Sequence, residues 1–208
     1  MHPIDHIRKF ANITPKIEDN LRKVMQEHHP HKGEMIQGAN NLITYAYYLA
    51  SGSARVYYIE RGKEHTVAFA FDNQFVIVPR HLVKSYPDTV AIQFLEPSEV
   101  VFIPHLRIKS ILEESDAVAD TEGLLFLSAA LIDYNLFLEE RVEVMQSLSA
   151  EERYKWALRR YPRIEDCATT TQLASFLGVT KETLYRIKGG KYTIPGKAWQ
   201  KQHKKEGV

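Results

Sequence analysis

The sequence predicts an α+β chain: an antiparallel β-roll of jelly-roll or cupin-like type with flanking helices, then one long helix, then a helix-turn-helix domain. Three observations carry this. Between Lys32 and Pro104, short runs rich in Val, Ile, Tyr and Phe alternate with Gly, Asn, Asp and Pro, with no helical period between them. From about Asp120 to Gln146, apolar residues recur at spacings of three and four. Near the end, "TTQLASFLGVTKETLYRIKGG", Thr170 to Gly190, reads as two short helices around a glycine turn.

Each element has a local reason. Residues 4–29 carry apolar positions at helical spacing (Ile4, Ile7, Phe10, then Ile17, Leu21, Val24), and Thr14-Pro15 is placed as N-cap and first turn of a second helix. Strands follow, with turns expected at Gly33, Asn40-Asn41, Ser51-Gly52, Arg61-Gly62 and Asp72-Asn73. Within them, "ARVYYIERGKEHTVAFAF" is the strongest hairpin, two strands flanking a tight turn. "HLRIKSILEES" after Pro104 is expected to be a short helix. The long helix shows a stripe of Leu124, Leu127, Leu131, Tyr134, Leu138, Val142 and Met145, which is expected to pair with a second copy of the chain, packing on the β-domain being the alternative for all or part of it. Ser149 and Glu152 form a capping-box pattern that starts a new helix, so a hinge is expected at Ser147–Ser149. That helix runs to Arg160 and closes at Tyr161-Pro162. The expected domains are 1–119, 120–147 and 148–208.

The 208 residues suffice for one large or two modest domains, and the composition (44% hydrophobic, 25% charged) is that of an ordinary globular chain. One cysteine, Cys167, excludes an intrachain disulfide framework and all-cysteine cluster ligation within one chain, and is expected to be a small core residue. "MHPIDHIRKF" has no apolar signal core and no run approaches ~18 apolar residues, so a cytoplasmic protein without membrane association is expected. The net charge of +1 conceals an asymmetry: from Glu151 onward 13 Lys and Arg face 6 Asp and Glu, leaving +7, and the first 150 residues carry −6. A basic third on an acidic body suggests a polyanion-binding module.

In the C-terminal hairpin, Leu173, Leu177, Val179, Leu184 and Ile187 can share one small core, Ala174 lets the helices approach, and Gly178 can take the positive φ of a sharp turn. Thr180 is a natural N-cap for the second helix, whose exposed face shows Lys181, Glu182, Tyr185 and Arg186. In a DNA major groove, Arg or Lys can address guanine and Glu can accept from cytosine N4.

"TTQLASFLGVTKETLYRIK" resembles the helix-turn-helix of the CRP/FNR family of bacterial transcription regulators, with "TKETLYR" standing where the family reads like S-R-E-T-V-G-R. "SAEERYKWALRRYP" resembles the helix that opens the same DNA-binding domain, and "GEMIQGANN" through "FAFDNQF" resembles the family's cyclic-nucleotide-binding-type β-roll. The resemblance covers nearly the whole chain in order: β-roll, long dimer helix, hinge, helix-turn-helix. It implies a homodimer on a palindromic double-stranded DNA site, with RNA polymerase as a possible further partner. Lys181, Glu182 and Arg186 would read bases, Thr180 with Thr171 or Thr183 would hold phosphates, and Tyr185 and Lys188 share that DNA-facing set.

Two departures qualify it. Members that bind cyclic AMP have Gly-Glu just after the phenylalanine matching Phe75, and Arg-Ser about ten residues on; here those places hold Ile77-Val78 and Asp88-Thr89. A buried phosphate needs a cation or backbone donors, and an aspartate repels it, so cyclic AMP is not expected. The candidate pocket for an unknown effector is Val78, Arg80, His81, Asp88 and Thr89. Secondly, "GGKYTIPGKAWQKQHKKEGV" gives at most a stunted wing, and its basic tail would contact phosphates instead. Alternatives are a β-roll sensor acting through protein contacts and a haem-based sensor of the same family. A metal-dependent cupin-like enzyme is not expected, because His65, His81 and His105 are scattered and "HHPH" (His28, His29, His31) lies on a proline loop. No catalytic residue, metal or cofactor is predicted.

Overall fold

The computed structural model describes residues 2–37, 44, 46–79, 90–104 and 121–190. Contacts divide the chain into two compact units, Met1–Glu140 and Arg141–Val208.

In the first unit, α1 (Pro3–Ile7) and α2 (Pro15–Val24) precede eight strands: β1 Gln26–His28, β2 Met35–Gln37, β3 Ala46–Ser51, β4 Ala54–Glu60, β5 Lys63–Ala70, β6 Gln74–Ile77, β7 Val90–Phe94 and β8 Glu99–Phe102. Two four-stranded sheets result, in the orders β1-β8-β3-β6 and β2-β7-β4-β5. Every pairing is antiparallel. The sequence-based expectation that helix extends toward residue 29 is corrected here. Met25 turns extended at the end of α2, and Gln26–His28 pair with Val100–Phe102, because ladder bonds to β8 outweigh local helical spacing. The Thr14 cap is present, its hydroxyl accepting from the Ile17 N–H. The β4–β5 hairpin turns through Arg61 and Gly62, both at positive φ, as a two-residue loop matched to strand twist requires.

Alternation assigns the faces. Tyr47 lies edge-on to Phe94 and tilted against Phe102, so these rings fill the space between the sheets. Tyr48, one residue on, faces the other way and joins Ala46, Ile77 and Ile103 in a core with Ile4, Ile7 and Leu21 of α1 and α2. A third helix, α3 (Thr121–Ser147), supplies Phe126, Leu127, Ala129 and Ala130 to that core. Each large apolar side chain removed from water there contributes about 1.5–3 kcal/mol.

Two buried polar side chains of these layers show what holds them. Arg55, 3% exposed, donates to Gln93, Thr66 and Glu64 across β7 and β5, with its guanidinium 4.1 Å over the Tyr57 ring. His6 sits edge-on to Tyr48 and Phe75, its Nε2 2.6 Å from Asp133 Oδ2 on α3. Burial, then the charges of Asp133 and Asp5, push the Tyr48 hydroxyl up to about 12, so it remains a neutral phenol. His28 Nε2 lies 2.9 Å from Glu34 Oε1, and the His31 N–H donates to Glu34 Oε2. No group of three or more His, Cys, Asp or Glu fit to hold a metal ion occurs among the described residues.

Gly52 has φ +109°, and a Cβ there would fall 2.2 Å from Ser98 Oγ and 2.8 Å from Ser98 Cα. Gly52→Ala is expected to lower the stability of the first unit by about 2 kcal/mol or more, since backbone must move as well as side chain. Denaturant titration with intrinsic fluorescence measures it.

Candidate nucleic-acid interface

The second unit takes in the end of α3 from Arg141, then α4 (Ala150–Arg160), α5 (Ile164–Cys167), α6 (Thr170–Leu177) and α7 (Lys181–Lys188). Its core is a trio of rings. Trp156 of α4 stacks on Phe176 of α6 with centroids 5.7 Å apart, and Tyr161 closes edge-on against both. Leu173, Leu177, Leu184 and Ile187 are buried around them, as the hairpin pattern predicts, and Val179 is half-buried.

Capping positions the hairpin. Thr169 and Gln172 form a reciprocal capping box at the start of α6, a signal the sequence reading passed over. Gly178 ends α6 at φ 66°, ψ 37°, and the Val179 N–H returns to the Ala174 carbonyl, closing a Schellman-type turn. Thr180 caps α7, its hydroxyl accepting from the Thr183 N–H.

The buried stripe of α7, Leu184 and Ile187, leaves Lys181, Glu182, Tyr185 and Arg186 on the opposite side, all exposed, with Tyr185 at 57%. Glu182 is held below its ordinary carboxylate value by its own backbone N–H, then by the Thr180 hydroxyl, so it stays an anionic acceptor at the helix N-terminus. Arg186 Nη2 rests 3.4 Å from Thr183 Oγ1. Thr171 is exposed in the first turn of α6. The expected site residues Thr171, Thr180, Lys181, Glu182, Thr183, Tyr185 and Arg186 therefore lie on this hairpin, with Thr180 and Thr183 already engaged as cap and cap partner.

Lys188, expected in the DNA-facing set, is engaged within this unit. Its Nζ lies 2.5 Å from Glu165 Oε1 of α5, and the Tyr154 hydroxyl donates to the same oxygen. Lys188 holds the Glu165 carboxyl below its ordinary value against partial burial, and Tyr154 assists. The Tyr154 hydroxyl is raised to about 12, by burial first and then by Glu165. The pair fastens the end of α7 to α5.

The expected hinge at Ser147–Ser149 is a tied corner. The capping box of Ser149 and Glu152 is complete. Arg153 then reaches back, its guanidinium donating to the carbonyls of Met145, Leu148 and Leu177 and so joining the ends of α3 and α6. Arg141 donates to the Phe176 carbonyl and lies 4.4 Å over that ring. None of Trp156, Phe176, Arg141 or Arg153 was singled out from the sequence, because their pairing joins three helices.

The long stripe on α3 divides. Leu127 is buried, and Leu131 and Tyr134 are packed at the margin of the chain's own core, whereas Leu124, Leu138 and Val142 are exposed. Met145 Cε faces Gly178. Of the candidate effector pocket, Val78 is buried at 2% exposure next to Ile77 at 3%. Arg80, His81, Asp88 and Thr89 lie outside the described residues, as do the expected helix at 105–115, the expected turn at Asn40-Asn41 and the basic tail from Lys191.

Residues 27–115 match the cyclic nucleotide-binding domain family. No curated protein matches the sequence of the chain. Among solved structures, the c-di-GMP responsive global regulator CLP of Xanthomonas campestris is similar at 14% identity and TM-score 0.59, covering 85% of this chain and 91% of that one. A transcriptional regulator of the CRP/FNR family from Eubacterium rectale is similar at 20% identity and TM-score 0.54, covering 87% and 83%. FixK2 from Bradyrhizobium japonicum is similar at 20% identity and TM-score 0.52, covering 80% and 84%. The fold is thus that of CRP/FNR-type transcription regulators, a cyclic-nucleotide-binding-type roll followed by a helix-turn-helix.

Two measurements probe this unit. Gly178→Ala forces a side chain into left-handed backbone and sets its Cβ 2.8 Å from Met145 Cε. The methyl end of Met145 can yield, so the backbone term dominates, and the expected cost is about 1–2 kcal/mol in a thermal melt. The depressed Glu165 value sets a sign in acid. Its contribution is complete above the unfolded carboxyl value of 4.5 and is lost as pH falls through the lower folded value. Melts between pH 6 and 3 are expected to show a small acid loss that Glu165→Gln reduces, small because the pair is partly solvated.

Proposed function

We propose that the protein is a homodimeric, sequence-specific DNA-binding transcription regulator whose helix α7 enters the major groove. One observation carries the reading: a helix with a capped N-terminus, buried on one side, presents two cations, one carboxylate and one phenol on the other. Those are the groups that address base edges, Lys181 and Arg186 toward guanine O6 and N7 and Glu182 toward cytosine N4. Tyr185 adds apolar contact, and Thr171 and the helix termini face phosphates. The +7 charge from Glu151 onward supplies the sequence-independent attraction that brings this face to the duplex. Lys188, paired with Glu165, serves the hairpin's integrity first.

Two copies related by a twofold axis would set two α7 helices about 34 Å apart, matching half-sites of a palindrome. Such a regulator acts in the cytoplasm and can contact RNA polymerase bound beside it. Cyclic AMP is left out of the reading. Ile77 and Val78 are apolar and buried where the resemblance puts ribose-binding groups, and the phosphate position carries Asp88. The signal, where the roll takes one, is a ligand of other chemistry.

A gel-shift screen against genomic fragments at moderate salt tests this. A discrete complex is expected on a subset of fragments, and absence of any sequence-preferring complex sinks the proposal. Arg186→Ala is expected to weaken specific binding by about 1–3 kcal/mol while leaving the fold intact. Fluorescence anisotropy on the selected site, with circular dichroism of the variant, measures both.

A further inference from the structure

Among the described residues of the second unit, every aromatic ring but that of Tyr185 is committed to a contact within the chain. Trp156, Tyr161 and Phe176 pack on one another, and the Tyr154 hydroxyl donates to Glu165. Tyr185 is 57% exposed, and its ring and hydroxyl meet no hydrogen-bond or ring partner. Glycine stands at this place in the family pattern, so whatever the ring does is particular to this chain.

A lone exposed tyrosine is commonplace; the position of this one gives it meaning. Tyr185 lies one turn after Lys181 and Glu182, on the side of α7 opposite the buried Leu184 and Ile187. Long side chains on a helix lean back toward its N-terminus, so the ring covers the turn that carries Lys181 and Glu182. The rise from Glu182 to Tyr185 is about 4.5 Å, and the backward lean shortens it toward the ~3.4 Å of one base-pair step. With α7 in a major groove, the ring therefore addresses the base pair next to the one that Glu182 addresses.

What the ring can tell apart there follows from its atoms. A phenol hydroxyl both donates and accepts, so it satisfies guanine O6, adenine N7, thymine O4 or cytosine N4 alike and discriminates poorly. It also lacks the fork that matches two atoms of one base. The apolar face does discriminate, because one group among the major-groove base edges is apolar: the 5-methyl of thymine. Covering that methyl with the ring gains what cytosine, with hydrogen at the same carbon, does not supply. Glu182 excludes the thymine from its own position, since thymine O4 would set a second acceptor against the carboxylate. We infer that Tyr185 is a specificity-determining residue that reads the 5-methyl group of a thymine in the base pair adjoining the one read by Glu182. This rests on the DNA-reading face of the proposed function, and the test separates the two.

Sites are selected by the full chain from a random double-stranded DNA library. Each thymine of one selected half-site is then replaced singly by deoxyuridine, which removes the methyl and leaves the pairing edge unchanged. Fluorescence anisotropy is expected to find one position where uracil weakens binding about fourfold, the worth of one buried methyl. Tyr185→Phe is expected to keep that penalty. Tyr185→Ala, its fold checked by circular dichroism, is expected to bind thymine and uracil probes equally while still rejecting changes at the guanines that Lys181 and Arg186 address. A selected site with no uracil-sensitive position, a penalty that persists in Tyr185→Ala, or one lost in Tyr185→Phe overturns the methyl reading while DNA binding stands. Failure to select any site overturns both.

Discussion

The contact of α3 with the outer face of the β1-β8-β3-β6 sheet is the constraint on which the first unit depends. That sheet presents Ala46, Tyr48 and Ile77 on one face, with Ile103 just past β8, and α1 and α2 bring Ile4, Ile7 and Leu21 to the same core. Phe126, Leu127, Ala129 and Ala130 complete the layer. Small residues at 129 and 130 let the helix lie close to the sheet, while Phe126 meets Phe75 edge-on. His6 and Asp133 add a polar tie from α1 to the same helix. With that side committed, Leu124, Leu138 and Val142 are left exposed on the rest of α3.

The C-terminal unit is organised by a different economy of contacts. Its helices are short, and isolated helices of eight residues are not stable in water. They persist because Trp156, Tyr161 and Phe176 form one aromatic centre, and because Arg141 and Arg153 satisfy the carbonyls that end α3 and α6. The same ties hold the exposed face of α7 at a fixed angle to α4 and α6. A base-reading helix needs that rigidity, since hydrogen bonds to base edges tolerate little misplacement.

Much of the hairpin was legible because its signals are local. Gly178 at positive φ, the Thr180 cap and the Ser149–Glu152 box each involve residues three or four apart, and each lies where the pattern put it. The β4–β5 turn was legible for the same reason. Strand β1 was not, because Gln26–His28 are all polar, follow directly on a helical pattern and become a strand only through pairing with β8, more than seventy residues on. The Lys188–Glu165 pair was not legible, because Glu165 sits on a separate short helix.

By itself the sequence determined the order of elements, the turn and cap chemistry and the charge asymmetry, all properties of residues near one another along the chain. Tertiary structure alone decided which side of α3 each apolar residue serves: Leu127 and Leu124 share one periodic stripe, but the first is buried against the chain's own core and the second exposed. The physical reason is that a hydrophobic period specifies that a helix has a face to bury, while the partner for that face is chosen by distant surfaces whose shape exists only after the sheets have formed.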